Sequence, residues 1–142
     1  MKYEKLFQPL QVNGVTLKNR IIASPTSMSG FDSNGYYNEE AYNYFRMKAV
    51  GGAAMVIVGE VMVDLENGRS HPVQCGIDDP NAMIPLRNLA NAIHEGGALA
   101  SVELDHGGCL AGPEFLHGRN AKGPSSFTDE WGDTCDEMTE ED

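Results

Sequence analysis

Hydrophobic positions along the chain switch between two periods, and each switch marks an element. Leu10-Gln11-Val12-Asn13-Gly14-Val15-Thr16-Leu17 sets two short runs on either side of Asn-Gly. That dipeptide tolerates positive φ at both turn positions, so the segment predicts a β-hairpin with a type I′ turn. Arg20-Ile21-Ile22-Ala23-Ser24 predicts a short buried strand ended by Pro25, and the Ser- and Gly-rich stretch 26–35 predicts a loop. Asn38 is placed to cap a helix, with Glu39 and Glu40 in the first turn, where the helix dipole favours acids. Ala41, Tyr44, Phe45 and Lys48 follow at helical spacing, and Gly51-Gly52 stops the helix.

The continuous apolar run Ala54-Met55-Val56-Ile57-Val58 has strand length and reads as a strand covered on both faces. A loop over 60–80 leads to a second helix with an apolar stripe of Ile84, Leu86, Leu89, Ala90 and Ile93, ended by Gly96-Gly97. Ala98 to Leu104 forms a third strand. The order hairpin, strand, helix, strand, helix, strand predicts right-handed βαβ units and a parallel sheet. A long loop over 105–138 follows, of a length that is uncommon without a function. Thr139 followed by acids, with Asp142 at the third position, then has the pattern of a helix start.

Composition narrows the function classes. The 142 residues have the size of one ordinary domain, and 41% hydrophobic content supports a real core. The net charge of −11 argues against general nucleic-acid binding, which runs on Lys and Arg, and against a basic membrane-surface protein. Eight of the 21 acids lie in residues 129–142, which hold no base, and this acidic end reads as a solvated loop. Cys75, Cys109 and Cys135 are widely spaced, show no metal-binding pattern, and fit a reduced, cytoplasmic chain. The chain opens without a signal-peptide pattern, and its longest apolar stretch, 53–58, is far short of a membrane span.

Several motifs then occur in order. They are Tyr3-x-x-Leu6-Phe7-x-Pro9, Gly14, Leu17-Lys18-Asn19-Arg20-Ile21 and Ser24-Pro25, followed by Gly51-Gly52-Ala53 and His94-Glu95-Gly96-Gly97-Ala98. Val102-Glu103-Leu104-Asp105-His106-Gly107-Gly108, Gly123-Pro124-Ser125 and Glu137-Met138-Thr139-x-Glu141-Asp142 complete the set. Together they resemble the N-terminal part of the old yellow enzyme family. Glu103, where many members have Gln, makes the chain look more like the branch of 2,4-dienoyl-CoA reductases and enoate reductases.

The resemblance implies an α/β fold: an incomplete TIM (β/α)8 barrel made of an N-terminal β-hairpin and about three βα units. It divides 1–142 into a capping hairpin (1–18), strands one to three with two helices (19–104), and a long loop leading into helix three (105–142). It implies an FMN-dependent oxidoreductase that takes hydride from NADH or NADPH and reduces an activated C=C bond, with an enone or enoyl substrate. The fused branch would add a 4Fe-4S cluster and FAD in a downstream part. A homo-oligomer is compatible with this reading, which includes no nucleic acid and no membrane. The chain would then be a fragment and inactive alone. The rival is a naturally short, non-catalytic half-barrel that self-associates or binds a complementary chain.

In such a barrel the site lies at the carboxyl ends of the strands. The resemblance places Ser24, Pro25, Thr26 and Ser27 after strand one against the flavin ring, with Ser27 as the hydroxyl at its edge. Read without it, these residues are a polar strand-to-loop turn. Gly59 and Glu60 end strand two and should border the ring; otherwise Glu60 is a solvated carboxylate. Glu103 should point into the barrel toward the pyrimidine edge, or else take part in a structural ion pair. Met28, His106 and Arg119 are assigned to the substrate side, although His106 also reads as a loop-packing residue. The catalytic groups and the phosphate grip would lie downstream, and no metal site is expected.

Overall fold

A computed structural model of the chain describes residues 2–142. After a short 3-10 turn at Glu4–Phe7, strands β1 (Leu10–Val12) and β2 (Val15–Leu17) form the antiparallel hairpin. Asn13 (φ 40°) and Gly14 (φ 88°) both take the positive φ that its turn requires. β3 (Ile22–Ala23), β4 (Met55–Met62) and β5 (Leu99–Asp105) then form a parallel sheet in the order β3-β4-β5. Helix α1 (Glu39–Val50) joins β3 to β4, and α2 (Met83–Glu95) joins β4 to β5.

Local chemistry accounts for these elements. Asn38 Oδ1 accepts from the Glu40 and Ala41 amides at 2.9 and 3.4 Å, which satisfies two donors left free at the start of α1. Buried Asn19 donates to the Gly52 carbonyl at 2.8 Å and accepts from the Ile21 amide at 2.9 Å, fixing the entry to β3 against the end of α1. Val56 and Val58 face the helices and form the core with Tyr37, Phe45, Leu89 and Ile93. Tyr37 meets the Phe45 ring edge-on, at 6.4 Å and 88°.

Four expectations need correction. The first strand is only two residues long, because Ser24 and Pro25 leave the ladder. The second runs on to Met62 through an irregularity between Val58 and Val61, where Glu60 takes φ 55°. Such a bulge lets a strand re-aim one side chain without ending. On the helices, Tyr44 and Ile84 are exposed, whereas Ala49 and Ala92 are buried, so the buried stripes are rotated from those read off the spacing.

The fourth correction concerns 105–138. It holds two 3-10 turns, Gly108–Leu110 and Pro113–Phe115, and a second small sheet. β6 (Ala121–Gly123), β7 (Phe127–Thr128) and β8 (Thr134–Glu137) form that sheet in the order β6-β8-β7. Three of the eight acids of 129–142 are engaged by their side chains, and the other five are exposed. Asp129 accepts from the Trp131 and Asp133 amides, Asp136 accepts from Asn120, and Asp142 is paired with Lys122 and bonded to Thr139. The Lys122 ammonium, with help from Thr139, holds the Asp142 carboxyl down at about 2.

Candidate functional site

The carboxyl ends of β3, β4 and β5 come together on one rim of the parallel sheet. There the bulge in β4 turns Glu60 so that its carboxylate reaches the turn after β3. Ser27 donates its hydroxyl proton to Glu60 Oε1 at 2.6 Å. Gln74 Nε2 donates to the other oxygen at 3.4 Å, and His71 Nε2 lies 3.5 Å from it. The Glu60 amide donates to Glu103 Oε2 at 3.3 Å, so the end of β5 is tied to the same residue. One residue, through its side chain and its amide, therefore links three strands.

The supporting contacts are specific. Gly59 lies directly on the Thr26 backbone: a Cβ at Gly59 would stand 2.8 Å from the Thr26 nitrogen. Only glycine permits that approach. Thr26 donates to the Ser24 carbonyl at 3.1 Å and accepts from Lys48 Nζ at 2.9 Å. The Lys48 ammonium lies 4.5 Å from the centre of the Tyr44 ring, a cation–π contact that holds it in place. Gln74 is buried, and its Oε1 accepts from the Ser70 and His71 amides at 3.0 and 3.1 Å. Burial pushes the Tyr37 phenol well above its ordinary value, with the charges of Cys75 and Glu60 adding to the effect.

Thr26, Ser27, Gly59, Glu60, His71 and Gln74 line a pocket of about 130 Å³ with Met28, Phe31 and Tyr37 at its apolar side; Glu103 and Lys48 lie outside it. Met28 is half-buried against the core. Ser24 is exposed, Pro25 is half-buried, and Glu103 is exposed on the side of β5 opposite Ala100, which packs on the helices. Glu103 pairs with the Glu60 amide, and no basic side chain is paired with it among the described residues.

The other two candidates lie elsewhere. His106 Nδ1 accepts from the Gly108 amide at 2.9 Å, and its ring packs over Gly68. Arg119 donates to Asn67 Oδ1 at 2.7 Å and to the Leu116 and Glu66 carbonyls, and pairs with the Glu66 carboxylate at 3.2 Å. None of these bonds reaches the Ser27–Glu60 cluster.

Lys48, His71 and Gln74 were not singled out in the sequence. Lys48 reads as part of a helix stripe, and His71 and Gln74 lie in an aperiodic loop. Only the fold shows that they converge on Thr26 and Glu60.

The donor set fits the ring of a flavin. Glu60 and Glu103 are acceptors suited to an imide N–H, while Ser27, Thr26 and Gln74 carry hydroxyl and amide groups beside them. It does not fit a phosphate tail, since Lys48 and Arg119 are both engaged in other contacts. No cluster of three or more His, Cys, Asp or Glu side chains able to hold a metal ion occurs among the described residues. None of the described helices is long and apolar enough to cross a membrane.

Comparison with known proteins agrees on the fold. The chain superposes on the old yellow enzyme of Pichia sp. AKU4542 with a TM-score of 0.86, at 22% identity, covering 96% of this chain and 38% of that one. The parallel sheet and its two helices are thus part of a TIM barrel. In sequence, the chain is 34% identical over 103 residues to an NADPH dehydrogenase of Halalkalibacterium halodurans, covering 72% of this chain and 30% of that protein. It is 26% identical over 104 residues to an NADH oxidase of Thermoanaerobacter brockii, covering 73% of this chain and 16% of that protein. The chain spans only 14% to 30% of the length of the curated relatives it matches. The model of the NADH:flavin oxidoreductase / NADH oxidase family matches residues 5–142, and the chain belongs to that family.

Proposed function

We propose that this chain supplies the wall for strands one to three of the flavin pocket in an FMN-dependent, NAD(P)H-linked oxidoreductase that reduces activated C=C bonds. The observation that carries the reading is the convergence of Ser27, Glu60 and Glu103 on one rim. In barrels of this kind that rim is where the chemistry lies. FMN, when bound, supplies the two-electron exchange between nicotinamide and alkene.

The chain's own residues shape the ring's surroundings. Ser27 gives its one hydroxyl proton to Glu60, so with Glu60 ionised it offers a lone pair to a group beyond it. Glu103 accepts from the Glu60 amide and has acceptor capacity to spare for an imide N–H. Lys48 fixes the Thr26 side chain, and the Gly59 contact fixes the Thr26 backbone. The reading gives this chain no proton donor to substrate and no phosphate grip. A three-stranded sheet with both edges open does not close a barrel. By this reading the 142 residues alone neither hold stoichiometric FMN nor turn over.

The test is expression of the chain within its complete reading frame, followed by measurement of bound flavin and of NADH and NADPH oxidation with 2-cyclohexenone. The expected result is one FMN per barrel and enone-dependent oxidation, with neither in the isolated 142 residues. A complete protein without flavin, or an isolated chain that binds FMN stoichiometrically and oxidises NADH, would overturn the reading.

A further inference from the structure

Cys109 and Cys135 lie on different elements, yet both press on the same side of Gly123. A Cβ at Gly123 would stand 2.9 Å from Cys135 Sγ and 3.1 Å from Cys109 Cβ. Cys135 Sγ therefore lies within about 6 Å of Cys109 Cβ, which places the two thiols side by side. Any side chain at Gly123 would occupy the space between them.

Their environments differ. Cys109 is the middle residue of the Gly108–Leu110 turn, is half-buried, and lines an open pocket that Cys135, Arg119 and Trp131 also line. Cys135 lies beneath it in β8 and is buried. Burial pushes the Cys135 thiol up, and the neighbouring Cys109 adds to this. Cys75 is buried in the main core, away from both.

We infer that Cys109 and Cys135 are an intramolecular dithiol site, oxidised by low-molecular-weight disulfides to a bond that pins the turn after β5 to the β6-β8-β7 sheet. The Cys109 thiolate attacks one sulfur of the small disulfide, forms a mixed disulfide and releases one small thiol. The Cys135 thiolate then attacks the Cys109 sulfur and releases the second small thiol. Two protein thiols lose two protons and two electrons, and the small disulfide takes up both.

This inference is independent of the flavin reading, and its test needs no flavin. The folded 142-residue chain is incubated with oxidised glutathione, quenched with acid, alkylated and mapped by mass spectrometry. A parallel sample is treated in urea. In the unfolded chain, loop length alone gives the Cys109–Cys135 pair about half of all intramolecular pairs. The folded chain is expected to lose about 2 Da and to place essentially all of that loss in Cys109–Cys135, with Cys75 alkylated. Cys135→Ser should stop at a glutathione adduct on Cys109, whereas Cys109→Ser should leave Cys135 unreacted. Pairing as in urea, bonds between chains, a lasting adduct on wild-type Cys109, or equal reactivity of the two single variants would each overturn the assignment. The wild-type map decides the matter even if a variant fails to fold.

Discussion

Ser27 and Glu60 are 33 residues apart in the chain and joined by a 2.6 Å hydrogen bond, because a bulge in β4 turns Glu60 toward the end of β3. The turn depends on Glu60 taking φ 55°, a conformation that favours glycine. Glu60→Ala keeps the strained backbone and loses the contacts to Ser27, Gln74 and His71. With a side chain about a third exposed, that loss should cost about 1 kcal/mol. Glu60→Gly loses the same contacts but relaxes the backbone, and should recover about 1 kcal/mol relative to the alanine variant. Urea unfolding of the two variants measures the difference. Equal midpoints would show that the bulge is not strained.

Gly59 tests the same rim from the backbone side. A methyl group there meets the Thr26 nitrogen at 2.8 Å, and a backbone atom cannot swing away as a flexible side chain can. Gly59→Ala should cost about 1–3 kcal/mol and displace the turn carrying Ser27. Amide shifts of Thr26 and Ser27 in an NMR spectrum would report that displacement. A variant with wild-type stability and unshifted amides would contradict the contact.

The two isoleucines of α2 separate what periodicity could and could not specify. Ile93 is fully buried in the core, whereas Ile84 is 66% exposed near the start of the helix. Ile93→Lys should unfold the chain or cost more than about 3 kcal/mol, because the ammonium has no buried partner. Ile84→Lys should change stability by less than about 0.5 kcal/mol. Thermal unfolding monitored by circular dichroism distinguishes them, and comparable losses would refute this orientation of the helix.

Much of the fold was legible because its signals are local. Asn13-Gly14 fixes the hairpin, Asn38 caps α1, and the apolar run before Gly59 marks the central strand. The site was legible only in part. Ser27, Glu60 and Glu103 lie near the carboxyl ends of strands whose positions follow from the strand order. Lys48, His71 and Gln74 reach the same rim through packing and loop geometry, which have no sequence period. The bulge at Glu60 was missed for a related reason: Gly59-Glu60 looks like a strand terminus, and only the ladder to β5 keeps the strand running to Met62. The sheet within 105–138 was hidden because its strands are two to four residues long, too short to show alternation.

Cys75 predicts how stability responds to alkali. Burial, reinforced by Asp79, Asp78 and Asp32, raises its thiol from 9.0 to about 11. Between those values the unfolded chain loses the proton and the folded chain keeps it, so deprotonation favours unfolding. The contribution is intact below pH 9 and is lost as pH rises toward 11. Urea midpoints should therefore be flat from pH 7 to 8.5 and fall between pH 9 and 11, and Cys75→Ala should flatten that fall. In the folded chain at pH 8, Cys75 should also react with an aromatic disulfide reagent much more slowly than half-buried Cys109. Rapid modification of Cys75 without loss of structure, or an alkaline fall unchanged in Cys75→Ala, would rule out this account of the alkaline limb.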